Sequence, residues 1–209
     1  MDKGKYIMKL VYIGTSRDIG HKCIEWASNN MPEGYQLTNS KYECDIFISV
    51  LYDNLLSKEF ISSRKCYNFH PAKLPEYAGV GGCTWSILFG ESHHYITLLT
   101  MDEGIDTGSI IDKCKFEIEN TDTASTLFKR MEDHMYLFFQ QWFEKLCKDD
   151  INPTPQDLTQ RQLFTKQSLR ELLDQTRLVR ATHFPGKPGL YYHDASGTEK
   201  RIEVSYDNK

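Results

Sequence analysis

Residues 46–50, Ile-Phe-Ile-Ser-Val, form a short run with almost no polar alternation. A run of that length without a period of two reads as a strand buried on both faces. A strand covered on both sides needs helices packed above and below its sheet, which narrows the fold to the α/β class. The neighbouring chain agrees. Leu10–Ile13 closes on Gly14-Thr15-Ser16 and leads into Ile19–Asn30, which is apolar at 19, 23, 24, 26 and 27: a strand, a turn and a helix. Asp45–Val50 is the second strand, Ser57–Ser62 a short helix and Lys65–His70 the third strand. Pro71 removes a ladder donor and ends it. Thr84–Gly90 is expected as a short helix entered from a Gly-rich loop, and Tyr95–Met101 and Ser109–Ile118 as further strands. Short buried runs alternating with helices imply a mostly parallel, Rossmann-like sheet.

Thr123–Cys147 has the strongest helical period, with Leu127, Met131, His134, Met135, Phe138, Trp142, Phe143 and Leu146 at three- and four-residue steps. Asp122 is its expected N-cap. Residues 148–160 are polar, hold two prolines and read as a linker. Ser168-Leu-Arg-Glu171 has the form of a capping box opening a helix to Gln175. Gly189–Tyr192 and Arg201–Tyr206 then read as a hairpin. The expected organisation is a main domain over 1–150 and a small helix-and-hairpin appendage over 151–209.

Charge and cysteine usage exclude several functions. The chain carries 25 basic and 29 acidic side chains, a net charge of −4. It lacks the basic excess needed to neutralise a phosphate backbone, so nucleic acid is not expected as a partner. Its cysteines, at 23, 44, 66, 83, 114 and 147, include no CxxC pair, against a zinc ribbon or redox pair. No apolar run approaches a membrane span, and the start has no secretory pattern. A soluble, cytoplasmic chain without bound metal is expected. His93-His94 would face opposite ways on a strand and reads as a surface pair. His134 reads as a core or interface histidine.

The chemistry concentrates in Asn68-Phe-His-Pro-Ala-Lys-Leu-Pro-Glu-Tyr-Ala-Gly79. Asn68 and His70 stand two apart on a strand, so both leave the same face. Pro71 and Pro75 stiffen the exit loop, and Gly79, Gly81 and Gly82 allow close backbone approach to a ligand. A carboxamide beside an imidazole at a strand's carboxyl end is a plausible site in an open α/β sheet. A second stretch, Met101-Asp-Glu-Gly-Ile-Asp-Thr-Gly108, joins two strands and could return a carboxylate, Asp106, to that end. Each stretch alone fits an ordinary loop.

Together they resemble the formyltransferases that use 10-formyltetrahydrofolate: Asn68, His70, Pro71, Leu74, Pro75, Tyr77 and Gly79, followed by Asp106-Thr107-Gly108. The resemblance covers about residues 8–147. Within the family the Gly79-Val-Gly-Gly82 continuation and the segment Arg180–Gly189 are similar to sugar-nucleotide N-formyltransferases, particularly those acting on dTDP-4-amino-4,6-dideoxyglucose. Ala78 stands where other branches often have Arg, and Leu99 where many have His.

The resemblance implies a catalytic trio: Asn68 as oxyanion donor, His70 as base and Asp106 as its orienting carboxylate. It implies folate contacts at Tyr52, Leu55, Leu56, Met101, Asp102 and Gly104. For the sugar nucleotide it implies Tyr77, Gly81, Gly82 and Trp85, with His183 or Phe184 on the base. Thr15 and Arg17 could meet phosphate at a helix start. A homodimer is also implied. Glycinamide ribonucleotide formyltransferase, methionyl-tRNA formyltransferase and an inactive sugar-nucleotide- or folate-binding module stay as alternatives. The first would be expected to carry a Gly-Ser-Gly phosphate loop where Gly14–Arg17 stands, and the second a larger C-terminal domain and a basic path for tRNA, which the residues after 150 fit poorly.

Overall fold

A computed structural model of the chain describes residues 8–173, 191–193 and 198–201. In chain order the first elements are β1 (Lys9–Gly14), α1 (Asp18–Asn29), β2 (Tyr35–Leu37), β3 (Ile46–Val50), α2 (Lys58–Ser62) and β4 (Lys65–His70). There follow β5 (Ala78–Gly79), α3 (Gly82–Leu88), β6 (His93–Thr100), β7 (Ile110–Glu117), α4 (Ala124–Lys148) and β8 (Leu163–Phe164). Six of these strands form one sheet in the order β2-β1-β3-β4-β6-β7. β2, β1, β3 and β4 run parallel, whereas β6 pairs antiparallel with both β4 and β7. The fold is therefore α/β with a mostly parallel central sheet.

All five residues of β3 are buried, and they divide by alternation between two apolar layers. Ile46, Ile48 and Val50 join Val11, Ile13, Tyr67 and Phe69 beneath α1 and α4. Phe47 points the other way, into a cluster with Cys44, Phe60 and Cys66 that Tyr12, Tyr52, Leu56 and Met101 border. β4 ends at His70, immediately before Pro71. The short edge strand β2 carries no alternation strong enough to be seen in the sequence. α3 begins two residues earlier than expected, after Gly81 in the left-handed region.

The α4 cap lies one residue later than expected. Thr123, not Asp122, accepts from Thr126 N at 3.2 Å. Asp122 instead accepts from Glu119 N at 2.8 Å and from the Arg130 guanidinium, tying the β7–α4 turn to the helix. His134 is half-buried, stacked 4.2 Å from Phe116.

Compact packing divides the chain at Phe164–Thr165. Residues 149–164 thus belong with the sheet: Thr154 exchanges two backbone bonds with Ile110 at 2.8 Å, and β8 pairs with β5. Their polar composition satisfies backbone groups and does not make a free linker. The second unit contains α5 (Lys166–Leu173) and an antiparallel pair, β9 (Tyr191–His193) and β10 (Glu199–Arg201). Its capping box is Thr165 with Ser168, bonded reciprocally at 3.1 and 3.2 Å. Ser168 is therefore the third helical residue and not the cap. The other hairpin residues expected from sequence lie outside the described residues.

Phe139 is fully buried, with its ring 5.2 Å from Phe143, 5.7 Å from Phe69 and 6.2 Å from Trp26. Phe139→Ala opens a void at the junction of helix and sheet and is expected to lower unfolding free energy by about 3–5 kcal/mol, measured by urea denaturation.

Candidate active site

Cys66, Asn68 and His70 project from one face of β4, opposite the face that carries Tyr67 and Phe69. Antiparallel pairing sets Asn68 across from Leu99 and His70 across from Thr97. As the chain leaves β6, Met101 N donates to Cys66 O at 2.8 Å, and the loop over 101–109 folds back toward that face. Asp102 shapes the loop by accepting from Gly104 N at 3.0 Å and Thr107 Oγ1 at 2.5 Å. The loop closes where Thr100 N donates to Ser109 O at 2.9 Å. Only glycine fits at 108, since a Cβ there would sit 1.8 Å from Thr100 O.

This path brings Asp106 to the two β4 side chains. Asp106 Oδ1 lies 3.5 Å from His70 Nδ1 and accepts from Asn68 Nδ2 at 3.4 Å. Its Oδ2 accepts from Gly79 N at 2.8 Å. His70 Nε2 lies 2.8 Å from Tyr77 O. The two ring nitrogens of this 4%-exposed imidazole thus each face an oxygen, Nδ1 the Asp106 carboxylate and Nε2 the Tyr77 carbonyl. The three side chains form a unit: an amide donor, an imidazole and a carboxylate that touches both.

One cavity borders this trio, and a second opens beside Pro71, the residue that follows His70. The first, a small one of about 20 Å³, is bordered by Asn68, Met101, Asp102, Gly104 and Asp106, among others. Three of the residues expected to hold folate therefore share a wall with two of the trio. Tyr52 and Leu56 pack with Met101 around Phe47, and the Tyr52 ring stands 5.5 Å from that of Phe47. Leu55 is 87% exposed and takes no part in this cluster. The larger cavity, about 300 Å³, is lined by Pro71, Gly81, Gly82 and Thr84 on one side and by Ser125 and Phe128 of α4 on the other. Gly81 and Gly82 thus stand where a second ligand could enter. Thr84, Ser125 and Phe128 are lining residues that sequence reasoning missed, because on a helix their spacing reads as ordinary packing.

The remaining expectations need correction. Tyr77 and Trp85 are each 6% exposed. Trp85 stacks on Phe164 at 4.3 Å and lies 5.9 Å from Phe89, while Tyr77 stacks on Phe164 at 6.0 Å. Their polar atoms are occupied as well: Tyr77 Oη donates to Glu91 at 2.6 Å and Trp85 Nε1 to Val80 O at 3.0 Å. These aromatics brace the loop from behind and offer no face to a substrate. Thr15 and Arg17 form a local turn, with Arg17 N donating to Thr15 Oγ1 at 3.1 Å and the guanidinium paired to Asp53 at 3.2 Å. Neither lines either cavity. His183 and Phe184 lie outside the described residues. Among the described residues, no group of three or more His, Cys, Asp or Glu is placed to hold a metal, and no helix is long and apolar enough to cross a membrane.

Comparison with known proteins adds an independent line. The formyl transferase family pattern matches residues 15–141. A methionyl-tRNA formyltransferase from Synechococcus sp. is 33% identical over 144 residues, 66% of this chain and 44% of that protein. A GDP-perosamine N-formyltransferase from Brucella melitensis is 33% identical over 126 residues, 59% of this chain and 48% of that protein. The chain thus spans less than half the length of these relatives. In fold it is similar to the crystal structure of an N-formyltransferase from Helicobacter canadensis in complex with folinic acid and dTDP-3-aminofucose. That likeness has a TM-score of 0.66 at 23% identity and covers 77% of this chain and 72% of the other.

Behind the larger cavity, His94 corrects the surface-pair reading. Its ring does face away from His93, but α3 covers that side, and His94 is fully buried. Ser86 Oγ lies 3.0 Å from its Nδ1, and Cys83 Sγ 3.5 Å from its Nε2. Burial, aided by the nearby His70, pushes its pKa from 6.5 down to about 4. The unfolded chain thus takes up this proton below pH 6.5 while the folded one resists it until about pH 4. Stability is expected to fall as pH drops through that window, by about 3 kcal/mol from this residue. Urea denaturation from pH 7 to 4 should show a shallower loss in His94→Gln than in the parent.

Proposed function

The chain belongs to the formyl transferase family, and on that premise we propose that it moves a formyl group from 10-formyltetrahydrofolate to the amine of a nucleotide-linked amino sugar. The observation that carries this reading is the convergence of Asn68, His70 and Asp106 beside the small cavity, with a larger cavity opening at Pro71, the next residue after His70. Formyl transfer to an amine needs a donor for a developing oxyanion, a base for the amine proton and two binding places meeting at one centre.

The residues present fit the folate. Half-buried Tyr52, Leu56 and Met101 supply apolar wall beside the polar cavity of Asn68 and Asp102–Gly104, the mixture a flat heteroaromatic ring with amide-like edges requires. Bound there, 10-formyltetrahydrofolate supplies an activated formyl carbon. The Asn68 carboxamide donates hydrogen bonds toward the formyl oxygen as charge develops on it. His70 would take the proton from the attacking amine and return it to the folate nitrogen as its bond to the formyl carbon breaks, so that tetrahydrofolate leaves as the neutral amine. Asp106 orients the ring and balances its positive charge, with Gly79 N holding the carboxylate's other oxygen.

The larger cavity, beside Pro71 and the Gly81–Gly82 turn, suits a sugar-sized acceptor. Among acceptors we favour dTDP-4-amino-4,6-dideoxyglucose, supported by the Val-Gly-Gly turn and by the dTDP-sugar complex of the Helicobacter canadensis protein. A cytoplasmic homodimer accompanies this reading: the six cysteines are unpaired thiols, and Leu137 leaves a 61%-exposed apolar side chain on α4.

The test is a panel of dTDP-, UDP- and GDP-linked amino sugars, glycinamide ribonucleotide and methionyl-tRNA, each incubated with 10-formyltetrahydrofolate and analysed by mass spectrometry. The expected result is one added formyl group on dTDP-4-amino-4,6-dideoxyglucose. Formylation of methionyl-tRNA or glycinamide ribonucleotide with every sugar nucleotide untouched would overturn the reading. With the acceptor known, His70→Asn should lower kcat by about 10²-fold or more with KM little changed. Asn68→Ala should lower kcat by about 10²–10³-fold. Because the residues act as a unit, the double variant should lose far less than the product of the two.

A further inference from the structure

Residues 154–164 contribute no group to the transfer chemistry, yet they bond to both loops that define the site. Gln156 Nε2 donates to Asp106 O at 2.9 Å and to Gly108 O at 2.6 Å. Its Oε1 is buried without a partner among the described residues. The orientation of this amide is dictated by its surroundings: flipped, it would point an oxygen at two carbonyl oxygens and abandon both bonds. Five residues on, Arg161 Nη2 donates to Ile105 O at 2.8 Å. Three carbonyls within four consecutive loop residues, at 105, 106 and 108, thereby receive side-chain donors from one segment.

The same segment holds the opposite loop. Ala78 N donates to Gln162 O and Val80 N to Phe164 O, both at 3.0 Å. Between them stands Gly79, at φ +91° and so close that a Cβ would lie 2.0 Å from Phe164 O. Gly79 N is the group that donates to Asp106 Oδ2. The segment therefore fixes Asp106 from two directions, through its own backbone carbonyl and through the amide that binds its carboxylate. Asp106 needs such support, because at φ +55° its backbone occupies the left-handed region.

We propose that Gln156 and Arg161 are positioning residues for Asp106, setting its carboxylate against His70 and Asn68. This rests on the formyl-transfer reading for its catalytic consequence, though not for its structural one. Neither residue touches the reacting atoms, and each acts through the loop alone.

The experiment combines kinetics with amide hydrogen exchange over residues 101–109. Gln156→Glu keeps the shape but cannot donate, so Gln156→Glu and Gln156→Ala are both expected to lower kcat about 10-fold or more, as displacement of a reacting group by about 1 Å does. KM should stay within about threefold, since neither residue holds ligand. Exchange over 101–109 should rise in both. Arg161→Lys, which keeps a donor, should recover most of what Arg161→Ala loses. In an Asp106→Asn background, Gln156→Ala should cost less than about twofold, because the group it positions is already disabled. A similar loss in both backgrounds would overturn the proposal, as would parental kcat in Gln156→Glu. If the parent chain formylates no acceptor, the functional reading fails, and exchange alone decides here: unchanged protection of 101–109 in Gln156→Ala would overturn the positioning role.

Discussion

The Asp106 carboxylate is the joint on which the site depends. Its two oxygens reach three partners from separate parts of the chain: His70 and Asn68 on β4, and the amide of Gly79 beyond the proline loop. Its backbone at φ +55° is one that Asp tolerates better than most L residues but seldom adopts unaided. A conformation of that kind persists when its neighbours over-determine it. Here they do so by backbone closure at Thr100 and Ser109, by the Asp102 turn bonds and by the side chains of Gln156 and Arg161.

Antiparallel β6 sets the path of the loop that carries Asp106. Because β6 runs antiparallel to β4, its exit at Thr100 lies beside Tyr67, toward the amino end of β4, and not at the carboxyl end where His70 stands. With β6 reversed against β4, residues 101–109 begin beside Cys66 and return along the face that presents Asn68 and His70. The switch from parallel to antiparallel pairing in the middle of the sheet is thus tied to the site's construction. Leu99, paired opposite Asn68, supplies a buried apolar contact at the site's floor where a second imidazole could otherwise stand.

The elements legible in the sequence are those whose burial pattern is set by sheet and helix geometry. β3 reads as a two-sided strand because Ile46, Ile48 and Val50 enter one apolar layer and Phe47 the other, and α4 because one stripe of it meets the sheet. Asn68 and His70 are legible because a strand period of two places them together, whereas Asp106 needed the resemblance, since nothing local separates it from Asp102. The misreadings of His94, Tyr77 and Trp85 share one cause, which is that coverage comes from elsewhere in the chain. His94 looked exposed until α3 was laid across it. Tyr77 and Trp85 looked available until Phe164, some eighty residues away, stacked on them. Gln156 sits in a polar, proline-containing stretch without periodicity. Its partners are backbone carbonyls, which leave no trace in side-chain type.

Placement of the two cavities follows from where β4 stops. Asn68 borders the small cavity and Pro71, three residues on, borders the large one, with buried His70 between them on the chain. Pro71 cannot extend the ladder, so the chain turns out of the sheet there. The two openings have no lining residue in common, but each takes one from the stretch 68–71 where the chain leaves the sheet. For a transfer between two bound molecules this matters more than the depth of either cavity. In the proposed transfer, holding both reactants near one strand end would replace a bimolecular encounter with an effectively intramolecular step, an advantage that can reach about 7–11 kcal/mol of barrier when the geometry is maintained. Maintenance of that geometry falls to the backbone bonds around Gly79 and the 101–109 loop. The irregular segment that follows α4 is therefore as much part of the site's construction as the strand that carries its imidazole.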